Sequence, residues 1–306
     1  MDCILFVSFL DRGDGEIYTT FIKEMLLMIV DFHTHTFPER IVAAALGKLQ
    51  QASHTVAFTD ATMTGLRASM QESGIDWSVV LPVATNPTKV GSMNDLSAQL
   101  TGKDGLVYFG CMHPDMEGAE QELERIAALG LKGIKLHPVY QGVNIDDGRF
   151  VRILAKAGEL GLIVVMHAGD DIGFPGEVRC SPEMIRHALQ QAGPVKLICA
   201  HMGGWRNWER VADCLANTSA MIDTAFSLGN ITPLETDYYA PEQLSMLNVE
   251  DFCCLVRAFG SQRVVFGTDS PWAGQLASLQ QFNALPLTDE EKETILGGNA
   301  RRLLGI

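Results

Sequence analysis

The sequence predicts an α/β fold, a single-domain (β/α)8 (TIM) barrel with some distortion, and two observations carry this prediction. Eight short apolar segments rich in Val and Ile recur along the chain, as in strands buried on both faces of a parallel sheet. Helical segments alternate with them, as the crossover connections of a parallel barrel require. An open doubly wound sheet is the alternative, but no glycine-rich phosphate turn follows the first strand. The predicted strands are 28–32, 77–83, 105–112, 131–137, 161–167, 195–201, 219–225 and 263–269.

Capping residues predict where several helices begin and end. Ser181-Pro182 has the sequence of an N-cap followed by proline at the first helical position. Gly260 is expected to end a helix over 249–259, and Thr288 with Glu291 matches a capping box. Further helix starts or stops are predicted at Asp115, Gly130, Asp146 and Gly161.

The predicted barrel occupies residues 28–306, and residues 1–27 are treated separately as an N-terminal extension. The apolar run in this extension lacks the positive flank and the length of a secretory signal, and Met28 is an alternative start directly before the first strand. Two long connections, 36–76 and 226–262, are candidates for inserted helices or a lid. No segment offers about 18 uninterrupted apolar residues, so no transmembrane helix is expected.

The composition disfavours several classes of partner. The 306-residue chain is 47% hydrophobic and carries a net charge of −14 from 23 basic and 37 acidic residues. Such a chain repels nucleic acid and anionic membranes, so a small-molecule substrate is the expected partner, with a homodimer left open. The seven cysteines are scattered without a CxxC pair, so neither a disulfide framework nor a zinc ribbon is predicted, and the reducing cytoplasm is the expected compartment.

The histidines indicate where an active site lies. Active sites of (β/α)8 enzymes are built at the C-terminal ends of the strands. Residues two apart on a strand point to the same side, so His33 and His35 can grip one ion, and His167 on the fifth strand and Asp269 on the eighth can complete the set. Six of the eight histidines lie at or just beyond predicted strand ends: His33, His35, His113, His137, His167 and His201.

The ligand types favour one divalent metal ion. Three or four nitrogen and oxygen ligands with a place left for water are typical of catalytic zinc, so zinc is the leading candidate. Manganese, iron, cobalt and nickel accept the same ligands and stay open. His201, at the end of the sixth strand, is predicted to be a catalytic acid or base, because a proton must be moved beside the metal.

Four further residues are candidates for contact with the substrate, and a fifth is a pocket candidate. Lys135 and His137 are two apart on the fourth strand and share a face, so one of them can contact the substrate or orient a ligand. A carboxylated Lys135 that bridges a second metal is an alternative. Arg179, in the loop after the fifth strand, is a candidate partner for a substrate carboxylate. Trp205 is the fourth substrate candidate, and Asp223 on the seventh strand is the pocket candidate.

Five segments carry a resemblance to a known family: 29-IVDFHTH-35, 166-MHAG-169, 200-AHMGG-204, 266-FGTDSPW-272 and 296-LGGNARRLLGI-306. With them the sequence resembles the amidohydrolase superfamily, and within it the amidohydrolase-related branch that includes aminocarboxymuconate-semialdehyde decarboxylase and related lactonases and hydratases. The resemblance implies a distorted barrel with His33, His35, His167 and Asp269 as metal ligands. It also implies that His201 acts beside the metal and that Asp269 carries protons as well as binding it. No role is carried over to Lys135 or His137.

The leading hypothesis is a metal-dependent hydrolase, in which metal-activated water attacks a carbonyl carbon while Asp269 and His201 move protons. A non-oxidative decarboxylase that uses the same site on a small carboxylated substrate is the alternative. A basic residue placed to hold the substrate carboxylate would favour this alternative, and Arg179 is the first such candidate. A non-catalytic metal-binding protein is a remote alternative, since it predicts a missing ligand or proton carrier. A nuclease is disfavoured by the acidic charge.

Overall fold

The computed structural model describes residues 28–306, and the expectations about residues 1–27 lie outside the described residues. Within this range the strands are all parallel and form the wall of a barrel in two stretches. The first stretch contains β1 (Val30–Thr34), β2 (Trp77–Val80) and β3 (Leu106–Tyr108). The second contains β4 (Gly110–Cys111), β5 (Gly133–Leu136), β6 (Ile163–Met166), β7 (Lys196–Cys199), β8 (Met221–Asp223) and β9 (Val264–Val265).

The eight predicted strands are present, and the third is divided into β3 and β4. The break falls at Phe109, whose amide still donates to the carbonyl of Val80 on β2 at 3.0 Å. Beyond the break, the buried side chain of Asn94 pairs with the backbone of Cys111, accepting from its amide at 2.8 Å and donating to its carbonyl at 3.2 Å. The Asn94 amide therefore supplies hydrogen bonds where the strand ladder is interrupted.

The barrel closes between β9 and β1. The amide of Phe32 donates to the carbonyl of Phe266 at 2.8 Å, and the amide of Asp269 donates to the carbonyl of His33 at the same distance. Alternate residues of the strands fill the interior, as in other barrels of this size. The interior cluster consists of Val30, Phe32, Val79, Leu81, Val107, Phe109, Ile163, Val165, Ile198 and Val265 with two residues of the C-terminal helix, Ala300 and Leu304.

The helices form the outer layer and bury their apolar faces against the outward-pointing strand residues. In the described residues they are α1 (Glu39–Ser53), α2 (Met63–Ser73), α3 (Val90–Leu100), α4 (Ala119–Ala128), α5 (Gly148–Glu159), α6 (Pro182–Ala192), α7 (Trp208–Leu215), α8 (Pro241–Leu244), α9 (Val249–Phe259), α10 (Gln275–Asn283), α11 (Asp289–Glu293) and α12 (Asn299–Leu304). A π-helical turn over Thr294–Gly298 joins the last two. None of the helices in residues 28–306 combines the length and hydropathy needed to cross a membrane.

Most predicted caps are found where the sequence puts them. Ser181 accepts from the amide of Met184 at the start of α6, and Thr288 forms the capping box of α11 with Glu291. Gly260 follows the last residue of α9 with φ +77°. Gly130 and Gly161, also with positive φ, lie just beyond the ends of α4 and α5.

Two predicted helix starts are displaced. α4 begins at Ala119 after Gly118, so Asp115 does not cap it and forms an ion pair with Arg149 instead. α5 is capped by Asp147 and not by Asp146, because the Asp147 carboxylate accepts from the amide of Arg149 at 2.9 Å. Both helix starts are displaced because the tertiary fold decides whether such a carboxylate accepts from a helix amide or pairs with a distant side chain.

The two long connections carry inserted helices, α1 and α2 in the first and α8 and α9 in the second. They contact each other beside the C-terminal ends of the strands. The amide of Val56 donates to the carbonyl of Thr232 at 3.0 Å, and the ring of His54 stacks on that of Tyr238 with 3.4 Å between centroids. These insertions therefore border the face of the barrel where the site lies.

Candidate metal centre

Three of the predicted ligands converge at the end of β1. His33 lies on this strand, His35 directly follows it, and Asp269 lies beyond β9. Asp269 Oδ1 is 3.1 Å from His35 Nε2 and 3.4 Å from His33 Nε2. Two ligands of a tetrahedral ion with bonds of about 2.0 Å lie about 3.3 Å apart, so the spacing fits a divalent ion. We call His33, His35 and Asp269 the first group.

Hydrogen bonds outside the first group fix which ring nitrogens face it. His35 Nδ1 is 2.8 Å from the carbonyl of Leu81, and because a carbonyl only accepts, Nδ1 carries the proton. His33 Nδ1 likewise bonds Asp223 Oδ2 at 2.8 Å. Both Nε2 atoms therefore keep a lone pair that points inward, which is the arrangement found for histidine ligands held by a carboxylate or carbonyl. Burial lowers the pKa of His33, which keeps its ring neutral.

The segment around Asp269 is shaped to bring the carboxylate against His33. Asp269 has φ +70°, a left-handed conformation that is costly for a residue with a side chain. At Gly267 a Cβ atom would lie 2.9 Å from the Cβ of His33, so only glycine fits there. Burial alone would raise the pKa of Asp269, but the close contact with His35 and the charge of Lys135 lower it overall. An ionised carboxylate suits a metal ligand.

Asp31 is a buried carboxylate that sequence reasoning missed. It accepts from the amides of His33 at 3.1 Å and Thr268 at 3.0 Å, from the Thr268 hydroxyl at 2.6 Å, and from Gln275 at 2.8 Å. Burial raises its pKa to about 6. It holds β1 to the segment that carries Asp269. Its place two residues before the His-x-His pair was the available signal.

The fourth predicted ligand, His167, lies in a different cluster. His137 Nε2 is 3.4 Å and His167 Nε2 is 3.8 Å from Asp171 Oδ2, and the two rings stack with centroids 4.2 Å apart. All three residues are buried. We call His137, His167 and Asp171 the second group. Asp171 was missed by sequence reasoning, and coordination of one ion by His167 together with the first group remains a prediction.

His201 lies between the two groups. Its ring centroid is 5.3 Å from that of His33 and 4.8 Å from that of His167. Its Nδ1 bonds the carbonyl of Ala225 at 3.0 Å, its Nε2 is 3.0 Å from His167 Nδ1, and its amide donates to Asp223 at 2.8 Å. Burial lowers its pKa to about 4, so the ring is neutral at pH 7. With the Nδ1 proton held by a carbonyl, Nε2 is the atom free to take up a proton.

Lys135 brings a buried amine to the first group. Its Nζ is 2.9 Å from His33 Nε2, and the side chain is 1% exposed. Burial lowers its pKa to about 8, while the carboxylates of Asp269 and Asp223 act to raise it. Burial has the opposite effect on the carboxyl group of Asp223 and raises its pKa to about 7. The site thus combines side chains that could hold a metal ion with an amine that remains largely protonated at neutral pH.

Of the two remaining substrate candidates, Trp205 lies at the edge of the site and Arg179 lies at the protein surface. Trp205 is buried, its backbone pairs with Ala168 and Asp170 beyond β6, and its ring stacks on Phe226 at 6.2 Å. Among the described residues its indole Nε1 has no hydrogen-bond partner. The structure does not bring Arg179 to the candidate metal ligands, because its guanidinium bonds the Glu177 carboxylate at 3.0 Å on the surface.

Comparison with known proteins agrees with the sequence and the fold. Residues 30–306 match the model of a family described as amidohydrolase. The chain belongs to this family. The resemblance carried by the five motif segments and the single-domain barrel are thereby both confirmed.

Named relatives of this amidohydrolase include a 2-amino-3-carboxymuconate-6-semialdehyde decarboxylase from Dictyostelium discoideum. It is 28% identical over 239 residues, which cover 70% of this chain and 66% of the relative, just under two thirds of its length. The 5-carboxyvanillate decarboxylase of Sphingomonas paucimobilis has the same fold, with a TM-score of 0.66, 17% identity and coverage of 92% and 99% of the two chains. A 5-carboxyvanillate decarboxylase from Novosphingobium aromaticivorans, solved with bound manganese, gives a TM-score of 0.67 at 14% identity, covering 92% and 98%.

Proposed function

We propose that this amidohydrolase is a metal-dependent, non-oxidative carboxy-lyase that acts on a small carboxylated substrate. The named relatives are decarboxylases of small carboxylated molecules, which favours this alternative over the hydrolase expected first from the sequence. The metal-ligating groups and the proton-carrying histidine are compatible with both reactions. The choice therefore rests on what else faces the site.

The observation that carries the proposal is the buried amine of Lys135 beside the first group. A carboxylated substrate needs a cation at its carboxylate, and Lys135 Nζ lies 2.9 Å from His33 Nε2. This amine is proposed for the role predicted for Arg179, whose guanidinium is paired with Glu177. Because Lys135 is 1% exposed, an ion pair with a substrate carboxylate would be shielded from water.

His33, His35 and Asp269 would hold the ion, with His167 as the predicted fourth ligand. When bound, a divalent ion of this kind polarises an oxygen atom of the substrate and orients the molecule. Zinc and manganese are the first ions to test, since nitrogen and carboxylate ligands suit both. Asp223 orients His33 through the hydrogen bond to Nδ1.

The reaction needs a proton at the carbon that loses CO2. The bond from this carbon to the carboxylate breaks, the electron pair stays on the carbon, and a proton takes the place of CO2. His201 is suited to relay that proton, because its Nδ1 is committed to the carbonyl of Ala225 and its Nε2 can take up a proton from water and pass it to the carbon. Asp269, the other proposed proton carrier, is 3.1 Å from His35.

Trp205 is suited to bind a second oxygen atom of the substrate. A buried indole N–H without a partner is costly, and an acceptor on a ligand would remove that cost. The ring of Phe226, inclined by 27° to the indole with 6.2 Å between centroids, adds a second aromatic surface that favours a flat substrate.

A product analysis in deuterated water tests the proposal. Protein reconstituted with zinc or manganese is incubated with a panel of aromatic and unsaturated carboxylates and of lactones, while CO2 is monitored. We expect release of one CO2 per substrate consumed and one deuterium at the vacated carbon. Products that gain the elements of water without release of CO2 would instead establish a hydrolase.

A pair of lysine variants tests the part played by Lys135. Lys135→Met should raise KM for the carboxylated substrate by about tenfold to a hundredfold, since a charged hydrogen bond contributes about 1.5–3 kcal/mol. Lys196→Met is the matched control, because Lys196 is exposed at the start of β7. Equal KM values for Lys135→Met and wild type would remove Lys135 from the mechanism.

A further inference from the structure

We propose that a cavity on the outer side of the barrel wall, separate from the candidate metal centre, binds a neutral, ring-sized aromatic molecule that carries one polar group. The cavity has a volume of about 210 Å³. It lies between the C-terminal ends of β8 and β9, the long connection after β8, and α10. A cavity of about 150 Å³ with apolar walls accommodates benzene, so this one has room for a substituted ring. The inference does not depend on the reaction that the protein catalyses.

The base of the cavity belongs to the layer between the strands and the helices. It is formed by the buried rings of Phe252 on α9, Phe266 directly after β9, and Phe282 on α10, all of which pack in the outer core. The rings of Phe266 and Phe282 meet edge to face with centroids 5.6 Å apart. Among the described residues, the lining includes neither the candidate metal ligands nor Lys135 or His201. The cavity is therefore distinct from the site at the strand ends.

Gly267 forms part of the wall between the cavity and the candidate metal centre. It lines the cavity, and a Cβ atom added to it would lie 2.9 Å from the Cβ of His33. The hydroxyl of Thr224 accepts from the amide of Gly267 and donates to its carbonyl, both at 2.9 Å. The hydroxyl of Ser227 donates to the carbonyl of Ala225 at 2.8 Å. These polar groups of the inner wall are already paired, so this part of the cavity offers a ligand aromatic and aliphatic surface.

The cavity differs from the candidate metal centre in charge. Among the described residues, none that lines the cavity has a charged side chain, although charged residues make up 20% of the chain. A carboxylate placed here would lose its hydration without gaining a counter-charge, which is costly. The aromatic lining favours a flat neutral ring, because aromatic pairs gain from ring geometry as well as from buried area. The ligand of this cavity therefore differs from the carboxylated substrate proposed for the metal centre.

Two amides at the mouth of the cavity can hold a polar substituent. Asn230 and Gln281 line the cavity and are exposed. Neither side-chain amide has a hydrogen-bond partner among the described residues, and an amide offers both a donor and an acceptor. A few polar groups that orient a ligand in an otherwise apolar pocket are typical of small-molecule sites. The cavity thus matches a molecule whose ring points inward and whose amide or hydroxyl group points outward.

Phe226 is a strained residue that connects the cavity with the substrate candidate Trp205. Its ring lines the cavity and stacks on the indole of Trp205, with 6.2 Å between centroids. Its φ of +45° is a left-handed conformation that is costly for a residue with a side chain. Residues held in such conformations cluster at ligand sites, so the strain supports a binding role for this cavity.

Binding of benzamide to the full chain tests the inference. Benzamide is a neutral ring with one amide, and benzoate has nearly the same shape with a negative charge. Calorimetric titration should show saturable binding of one benzamide per chain, with the same affinity before and after addition of Zn²⁺. Benzoate should displace benzamide at least about tenfold more weakly, because the cavity holds no counter-charge. Equal displacement by benzoate would overturn the assignment of a neutral ligand.

A pair of variants on α10 tests whether benzamide occupies this cavity. Ala277 is exposed and lines the cavity, so Ala277→Phe should weaken benzamide binding by at least about tenfold, because the added ring fills the space. Gln280→Phe is the matched control, because Gln280 is exposed on the same helix and does not line the cavity. Its affinity for benzamide should equal that of wild type.

The absence of saturable benzamide binding would overturn the proposal, as would equal affinities of wild type and folded Ala277→Phe. Binding that appears only after addition of Zn²⁺ would place benzamide at the metal centre and would also overturn it. Circular dichroism establishes that each variant is folded. If Ala277→Phe fails to fold, a wild-type crystal soaked in benzamide decides, since density is expected in the cavity and its absence there would refute the proposal. Absence of any decarboxylase activity would leave these affinities unaffected.

Discussion

The first and second groups use similar ligands at the same face of the barrel but are supported differently. In the first group, each histidine is oriented by a partner outside the group, Asp223 for His33 and the Leu81 carbonyl for His35. In the second, His167 Nδ1 is 3.0 Å from His201 Nε2, whereas His137 stacks on the ring of Tyr140 and has a hydrogen-bond contact of only 3.5 Å with its amide. Ligands fixed by strands and outer hydrogen bonds are preorganised, whereas the second group depends on a loop. We therefore expect substitutions in the first group to lower activity more than substitutions in the second group.

The largest expected effect is that of His35→Asn. Loss of a bound divalent ion removes several kcal/mol of transition-state stabilisation, so activity should fall about a thousandfold or more. His137→Asn should cost less, because His137 belongs to the second group. The rates of CO2 release by the two variants measure this difference in activity. Equal losses would show that the groups act as one unit.

The pH dependence of the free energy of unfolding tests whether His201 is buried between the two groups. Burial lowers the pKa of His201 to about 4 from 6.5, so between these values the unfolded chain binds a proton that the folded chain does not. The contribution of His201 to the free energy of unfolding thus falls as the pH drops from 6.5 to 4. A shift of this size is worth about 3 kcal/mol.

His201→Asn removes this contribution. The metal-free variant should lose about 3 kcal/mol less stability than the metal-free wild type over the same pH range. Urea unfolding of both proteins at the two pH values measures the difference. Parallel losses would mean that His201 is accessible to protons in the folded chain, which contradicts its position between the groups.

Asp223→Asn should weaken the first group selectively. Asp223 accepts from His33 Nδ1 and from the amides of His201 and Ala225, and an asparagine side chain retains only one acceptor oxygen. Loss of such a ligand-orienting carboxylate typically costs about 10–100-fold in metal affinity. Calorimetric titration with Zn²⁺ or Mn²⁺ should show this loss relative to wild type. Unchanged metal affinity would mean that Asp223 does not orient His33 for the ion.

The smallest effect is expected for Arg179→Ala. Its ion pair with Glu177 is partly exposed and contributes less than about 1 kcal/mol, so KM and kcat should change by less than about twofold. A tenfold rise in KM would mean that the loop bearing the second group closes over the substrate. In that case Arg179 would hold the substrate carboxylate, as predicted from the sequence.

The fold was largely predictable from local patterns. Val- and Ile-rich segments located every strand, and Ser181, Gly260 and Thr288 marked helix boundaries correctly. The misplaced starts at Asp115 and Asp146 depended on whether these carboxylates pair with a helix amide or with a distant side chain. Cytoplasmic location remains a prediction from the scattered cysteines, and a homodimer remains open, because both concern surroundings that the fold does not report.

The sequence predicted where the candidate site lies in the barrel, but not which of its residues lie together in each group. The spacing of His33 and His35, together with Asp269 on the last strand, led directly to the first group. Asp171 carried no such signal, because it lies in a glycine-containing loop where a charged residue usually faces water. Arg179 lies in the same loop, but its side chain remains at the surface, where it pairs with Glu177.

The sequence alone determined the barrel, the face on which the candidate site lies and most of the residues that reach it. These follow from strand periodicity and from which residue ends each strand, and both are local properties. Only the tertiary structure decided which of these residues meet. The pairing of His33 with Asp223, the bonds from Thr268 to Asp31, and the stacking of His137 on His167 join positions that are distant in the chain. Barrel closure and the path of the loops create these contacts, and neither leaves a pattern in neighbouring residues.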